Sequence, residues 1–289
     1  MSEAVQVTDP ISAHGEGPVW HPGWGGLRWV DMLVGDVLWL AADGSVRRRN
    51  FGPVAAVLRP RVDGGAVLAV ERGFSLLAAG DDGFGGGTEP KFLGEIWTSD
   101  LVRMNEGGCD PDGRFYCGSM PYDEKSPIGK VYRLDPDGSV TVVLAGVTIS
   151  NGFAFSPDGG TAYYVDTPTH RIDAFDYSAS GLTNRRTTVS VPVEAGGPDG
   201  LTVDSEGYIW LALFGGSAVH RYAPDGRLDG VIELPTSQIT ACTFGGPDLD
   251  QLYITTSQLA LEPGSQPLAG ALFVADVGVR GLPVQPFAG

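Results

Sequence analysis

The chain has 289 residues, and its 43 Gly and 21 Pro are spread along the whole sequence. This length allows two small domains, but evenly spaced turn residues favour one all-β domain covering residues 1–289. The net charge of −16 argues against nucleic acid and anionic membranes as partners, and no segment approaches the roughly 18 consecutive apolar residues of a membrane helix.

The N-terminus and the cysteines indicate a compartment. The first seven residues contain neither a basic region nor an apolar run, so no secretion signal is visible. Cys109, Cys117 and Cys242 are an odd number without metal-type spacing, which predicts buried reduced thiols. A disulfide between Cys109 and Cys117 is the alternative. Together these features favour a cytoplasmic protein.

A strand-like run next to a turn recurs six times along the chain, with 39 to 48 residues between equivalent aromatic or aliphatic positions. The six runs are Leu27–Asp31, Ala66–Val70, Arg114–Gly118, Thr161–Asp166, Gly207–Leu211 and Gln251–Thr256. Each is followed by a second run, namely Asp36–Leu40, Ser75–Ala78, Lys130–Leu134, Arg171–Phe175, Ala218–Tyr222 and Ala271–Ala275. This spacing is the period of a four-stranded propeller blade.

The repeat predicts a six-bladed β-propeller, in which each blade has three clear strands and a weaker fourth. No helical hydrophobic period exceeds two turns, so we expect very little helix. Closing the ring usually requires both chain ends in one blade, and Ala4–Val7 is strand-like enough to pair beside the last one. The segment Gly83–Gly87 lacks the Lys-Ser/Thr ending of a phosphate loop and is expected to be a flexible loop.

Polar side chains occupy one position of the repeat. Asn105, Asn151 and Asp199 each lie eight residues before a turn glycine, and Glu16 falls in the same register within one residue. In a propeller, the first strand of every blade lines the channel, so these residues should meet at one channel mouth. The second and sixth repeats carry alanine or valine there, so only some sides of the mouth are polar.

Carboxylate and amide oxygens without thiolate or imidazole suit a hard cation such as Ca²⁺, Mg²⁺ or Mn²⁺. The alternative is that each residue caps a local turn. Arg103 lies two residues before Asn105 and should face the same side, either to hold a substrate oxygen or to offset nearby acids. Asp123 lies in a loop that can overhang the mouth, or is simply a solvated loop acid.

Several motifs, in the same order along the chain, resemble the senescence marker protein, gluconolactonase and luciferin-regenerating enzyme family, which includes regucalcin. The resemblance extends from about residue 14 to residue 256. The motifs are Gly15–Trp20, Arg103–Gly107, Gly113–Met120, Ser150–Gly152 and Pro198–Leu201. This chain departs from the family at Glu106, where many members have Asp, and at Ser119, where many have Thr.

The resemblance implies a six-bladed propeller that holds one divalent cation and hydrolyses a sugar lactone to the aldonic acid. By motif, Glu16, Asn151 and Asp199 match the metal ligands, and Asp199 also matches the acid/base. Arg103, Asn105 and Asp123 match substrate contacts. The implied cation is Ca²⁺ first, with Zn²⁺, Mn²⁺, Mg²⁺ or Fe²⁺ as alternatives, and the implied protein is a monomer or a weak homo-oligomer.

Two other functions fit the same residues. The first is a metal-dependent hydrolase of another ester class, such as an organophosphate or an aryl lactone. Arg103, Asn105 and Asp123 suit a polyol better than an aromatic ester. The second is a non-catalytic calcium-binding or scaffold propeller, which an exposed apolar patch on one face would favour. The sequence leaves the sugar and the metal open.

Overall fold

The structure, a computed structural model, is described for residues 3–78 and 89–289; the glycine-rich segment 83–87 lies outside this part. Its strands form six four-stranded antiparallel sheets, or blades, arranged in a ring. In chain order the strands are β1 Val5–Gln6; β2 Gly15–His21, β3 Gly26–Asp31, β4 Asp36–Leu40, β5 Val46–Asn50; β6 Ala55–Pro60, β7 Ala66–Val70, β8 Gly73–Leu77, β9 Lys91–Glu95; β10 Val102–Cys109, β11 Phe115–Pro121, β12 Gly129–Leu134, β13 Val140–Val147; β14 Ser150–Phe155, β15 Thr161–Asp166, β16 Arg171–Ser178, β17 Gly181–Ser190; β18 Gly197–Val203, β19 Ile209–Phe214, β20 Ala218–Tyr222, β21 Leu228–Glu233; β22 Ile239–Gly245, β23 Gln251–Thr256, β24 Phe273–Asp276.

The structure confirms the predicted six-bladed propeller. Every run identified from the repeat overlaps a strand, and the second and third strands of each blade are those runs. The weaker fourth strand is also present: β5, β9, β13, β17 and β21 complete their blades, and their side chains are mostly exposed or half-buried. Outer strands have little core to cover, which explains why their hydrophobic signal is weak.

The ring is closed by the N-terminus, as expected. The short strand β1 pairs antiparallel with β24 and becomes the outermost strand of the sixth blade, whose order is β1-β24-β23-β22. Val5 lies opposite Val274, and Gln6 lies opposite Phe273. The chain therefore begins in the last blade and continues from β1 into the first blade, which links the two blades.

In the described part of the chain, helix is confined to four single turns of 3₁₀ type: η1 Pro22–Trp24, η2 Met32–Val34, η3 Thr167–Thr169 and η4 Val193–Ala195. None of the helices in residues 3–78 and 89–289 combines the length and hydropathy needed to cross a membrane. All four helices are connections, and the last three lie at the end of the propeller where the inner strands begin.

The core fills the spaces between neighbouring blades. Trp29, Tyr116 and Trp210 are among the largest fully buried side chains. Cys109, Cys117 and Cys242 are also buried, and all three are free thiols, so the predicted reduced state agrees with the structure and the alternative disulfide does not form. Burying this much aromatic and aliphatic area fixes the blade spacing and thereby the geometry of the channel.

The C-terminal tail, residues 281–289, was not predicted. It crosses the end of the channel opposite to the start of the inner strands. Gly281 forms a bridge with Asp204, and the Phe287 N–H donates to Pro60 O at 2.7 Å. The Phe287 side chain is fully buried in the core beside the second blade. The tail thus contacts several blades on the face away from the polar residues.

Candidate functional site

The six inner strands, β2, β6, β10, β14, β18 and β22, contact one another in sequence around the channel. Each of them has a β-bulge near its beginning, where the regular pairing with the second strand shifts. A bulge changes the direction of the side chains beside it. Because the bulges occur at equivalent places, Glu16, Asn105, Asn151 and Asp199 converge on one mouth of the channel.

The inner strands can approach each other closely because a glycine directly follows Asn151 and another directly follows Asp199. Gly152 follows Asn151, and a Cβ there would lie 2.8 Å from Asp199 O. Gly200 follows Asp199, and a Cβ there would lie 2.5 Å from Ala241 Cβ. Any larger side chain would push the neighbouring inner strands apart.

Two buried acids at the mouth are close enough for their charges to interact. Glu16 and Asp199 are 2% and 5% exposed. Burial raises the pKa of both carboxyl groups well above the ordinary values. The second cause is repulsion, from Glu106 on Glu16 and from Glu16 and then Glu106 on Asp199. A pair of buried acids in this state is stabilised either by protons or by a cation.

The third member of the cluster is an amide. Asn151 is 4% exposed, and its Nδ2 donates to Thr167 Oγ1 at 3.0 Å. Asn151 Oδ1 and Asp199 Oδ1 are both buried, and neither has a hydrogen-bond partner among the residues that the structure describes. Unpartnered buried oxygens are costly, and they fit a hard cation, which prefers oxygen ligands. The donor set of Glu16, Asn151 and Asp199 therefore suits a divalent cation.

The acids by themselves do not complete such a site. Within residues 3–78 and 89–289, no group of three or more His, Cys, Asp and Glu side chains is placed to hold a metal ion. The cluster contains two carboxylates, and its third oxygen comes from the amide of Asn151. The orientation of that amide therefore decides whether three oxygens are available.

Arg103 and Asn105 form a bonded pair beside the acids. Arg103 Nη1 donates to Asn105 Oδ1 at 2.7 Å and to Met104 O at 3.0 Å. Asn105 Nδ2 donates to Ser150 O at 2.8 Å. Both ends of the Asn105 amide are thus used within the protein, and a substrate contact would have to replace one of these bonds. Arg103 keeps Nε and Nη2 free of hydrogen bonds within the described residues, and Glu16 and Asp199 both interact electrostatically with it.

Asp123 lies apart from the buried cluster, on the exposed loop between β11 and β12. Its Oδ1 accepts from the backbone N–H groups of Lys125 and Ser126, and its Oδ2 accepts from the Ser126 hydroxyl. These bonds lower the pKa of Asp123 to about 2, the hydroxyl of Ser126 being the main cause. In this conformation Asp123 stabilises its own loop, so its contact with substrate stays a prediction.

Residues 14–258 match the model of the SMP-30/gluconolactonase/LRE-like region. The chain belongs to this family. It is 36% identical to pentonolactonase XacC of Haloferax volcanii over 96% of each chain, and 35% identical to 6-deoxy-6-sulfogluconolactonase of Pseudomonas putida over the full length of both. A solved structure of a calcium-binding protein, regucalcin, from Agrobacterium tumefaciens superposes with a TM-score of 0.90 at 28% identity, covering 100% of this chain and 98% of that one.

In this family member, Glu106 was not predicted to be part of the site. Glu106 is buried, and burial raises its pKa to about 7 despite the opposing charge of Arg59. Its Oε2 has no hydrogen-bond partner within residues 3–78 and 89–289. Glu106 lines a cavity of about 380 Å³ in the channel, and this cavity does not include Glu16, Asn151 or Asp199. Glu106 therefore lies between the acid cluster and the part of the channel that the C-terminal tail borders.

His14 also belongs to the surroundings of the cluster. It lies two residues before Glu16, and its Nδ1 is 2.7 Å from Ser257 Oγ. Burial, followed by the charge of Arg103, lowers the pKa of His14 to about 3. A neutral imidazole adds no further positive charge beside the two acids.

Proposed function

We propose that this protein is a lactonase that uses a divalent cation to hydrolyse a sugar lactone to the aldonic acid. The observation that carries the proposal is the buried cluster at the channel mouth, where Glu16 and Asp199 lie beside the unpartnered oxygen of Asn151. Two relatives that align over nearly all of the chain are named as lactonases of sugar-derived substrates. A structural neighbour is described as calcium-binding.

Glu16, Asn151 and Asp199 would hold the cation, with Ca²⁺ as the first candidate. When bound, such a cation supplies Lewis-acid polarisation of the lactone carbonyl and stabilises negative charge on its oxygen. Zn²⁺, Mn²⁺, Mg²⁺ and Fe²⁺ are the alternatives, because an oxygen-rich site with open positions accepts several divalent ions.

The side chains of the mouth have separate tasks in this reaction. Asp199 accepts the proton of the attacking water on the carboxylate oxygen that the cation would leave free, and it returns a proton to the ring oxygen as the C–O bond breaks. Arg103 donates from Nε and Nη2 to a substrate oxygen and fixes the orientation of the lactone. Asn105 holds Arg103 in place, and Asp123 contacts sugar hydroxyls if its loop rearranges over the mouth.

The proposal is tested by hydrolysis of a panel of lactones, followed with a pH indicator. The protein is first treated with a chelator and then assayed alone and after addition of Ca²⁺, Mg²⁺, Mn²⁺, Zn²⁺ or Fe²⁺. We expect aldonolactone hydrolysis only in the presence of a cation. Full activity in the presence of chelator would show that the reaction does not require a cation. Cation binding without hydrolysis of any lactone would favour a non-catalytic calcium-binding propeller.

One observation favours a second candidate, a hydrolase of less polar lactones or esters. The connections at the same mouth carry exposed apolar side chains, which are those of Leu33, Val34, Leu101, Tyr122, Ile128 and Val193. Exposed apolar groups beside a binding site suit a substrate with an apolar part. The lactone panel should therefore include aryl and alkyl lactones, and a preference for them over aldonolactones would support the second candidate.

A further inference from the structure

The hydroxyl of Thr167 connects two of the proposed cation ligands. Thr167 lies in η3, on the connection that follows the second strand of the fourth blade. Its Oγ1 accepts from Asn151 Nδ2 at 3.0 Å and donates to Pro198 O at 2.8 Å. Pro198 directly precedes Asp199, so one side chain contacts both the amide of Asn151 and the peptide that leads into Asp199.

The direction of these two bonds fixes the orientation of the Asn151 amide. A hydroxyl has a single proton, and that of Thr167 is used by Pro198 O, which can only accept. Towards Asn151 the hydroxyl can then only accept, so the NH₂ end of the amide must face it. The oxygen end, Oδ1, consequently points away from Thr167 and is the buried atom that lacks a partner among the described residues.

In all three proposed ligands, the backbone carbonyl of the residue directly before the ligand accepts a hydrogen bond from a side chain. The carbonyl that precedes Glu16, Gly15 O, accepts from Thr240 Oγ1 of the sixth blade at 2.6 Å. The carbonyl that precedes Asn151, Ser150 O, accepts from Asn105 Nδ2 of the third blade. In each case the donor belongs to the preceding blade. Three ligands from three different blades are thus each tied to a neighbour by one side-chain hydrogen bond.

From this geometry we infer that Thr167 is a positioning residue of the cation site. It holds the Asn151 amide with Oδ1 free for the cation, and it ties the strand that carries Asp199 to the fourth blade. The inference rests on the proposed cation site. Residues around metal ligands set the orientation of those ligands, and their loss typically weakens metal binding by about 10- to 100-fold.

The first test measures Ca²⁺ affinity by calorimetric titration of chelator-treated protein. Thr167→Val keeps the shape of the side chain and removes the hydroxyl, and it should weaken Ca²⁺ binding by at least about 10-fold. Thr167→Ser keeps the hydroxyl and should bind as the wild type does. Thr169→Val is the matched control, because Thr169 lies in the same helix and its hydroxyl donates only to Asp166 O.

The second test separates amide orientation from a general structural effect. In an Asn151→Asp background, both side-chain oxygens are equivalent, so the hydroxyl is no longer needed to present an oxygen. Thr167→Val should then cost much less Ca²⁺ affinity than it does beside Asn151. An equal loss in both backgrounds, or wild-type affinity for Thr167→Val, would overturn the inference. Absence of binding of Ca²⁺, Mg²⁺, Mn²⁺, Zn²⁺ and Fe²⁺ by the wild type would instead refute the cation site itself, and the inference with it.

Discussion

Replacing Glu106 with Gln should stabilise the cation-free protein at alkaline pH. Burial raises the pKa of this carboxyl from 4.5 to about 7, and the nearby Arg59 only partly offsets the effect. A carboxyl group whose pKa is higher in the folded state stabilises that state while it is protonated. Its contribution is complete below about pH 4.5 and is lost as the pH rises through 7. Gln mimics the protonated form and cannot ionise.

The size of the effect follows from the shift. A rise from 4.5 to about 7 corresponds to about 3 kcal/mol of unfolding free energy above pH 7. At about 2 °C per kcal/mol for a chain of this length, Tm should increase by roughly 6 °C at pH 8.5. Near pH 4.5 the wild type and Glu106→Gln should melt together. The difference between the two pH values, and not the absolute Tm, is the predicted quantity.

Thermal melts in chelator at several pH values provide the measurement. Glu194→Gln is the matched control, because Glu194 is exposed in η4 and loses the same charge from the surface. It should leave Tm nearly unchanged at every pH. If Glu106→Gln gave the same Tm as the wild type at pH 8.5, or raised Tm equally at both pH values, the electrostatic reasoning about the channel would be wrong.

Three further predictions concern the mouth and the closure of the ring. Asp199→Ala should remove nearly all lactonase activity while the circular dichroism spectrum stays native, and retention of a tenth of the wild-type rate would exclude Asp199 as the base. Arg103→Ala should mainly raise KM, so an unaltered KM on the best lactone would remove Arg103 from the substrate site. Deleting residues 1–8 should lower Tm, because β24 loses its partner β1; an unchanged Tm would show that the closure contributes no stability.

The propeller could be predicted because its signal is local and repeated. Alternating apolar residues and turn glycines occur in every blade, so an error in one repeat is corrected by the others, and the predicted run Thr161–Asp166 coincides with β15. The C-terminal tail lacks this redundancy. It has no strand pattern, and its position depends on contacts between Phe287 and a blade more than 200 residues earlier in the chain. Such contacts leave no periodic trace in a single sequence.

The site could be predicted only to the level of register. Their equivalent positions in the repeat predicted that Glu16, Asn151 and Asp199 lie at one mouth of the channel, and the structure places them there. Glu106 was missed because strand alternation places neighbours of Asn105 on the opposite face, whereas the bulge in β10 breaks that alternation and leaves Glu106 in the channel. The hydrogen bonds that occupy both ends of Asn105 and both oxygens of Asp123 likewise depend on side-chain geometry that spacing does not specify.

The position of the ring closure has a consequence for the site. Glu16 comes from the first blade, and the carbonyl before it is held by Thr240 of the last blade. The last blade in turn depends on the N-terminal strand β1 for its outer edge. The seam between the last blade and the first is therefore adjacent to one of the proposed ligands. Because stabilising interactions in a propeller are made mostly between neighbouring blades, loosening of this seam should reach Glu16 before it reaches Asn151 or Asp199.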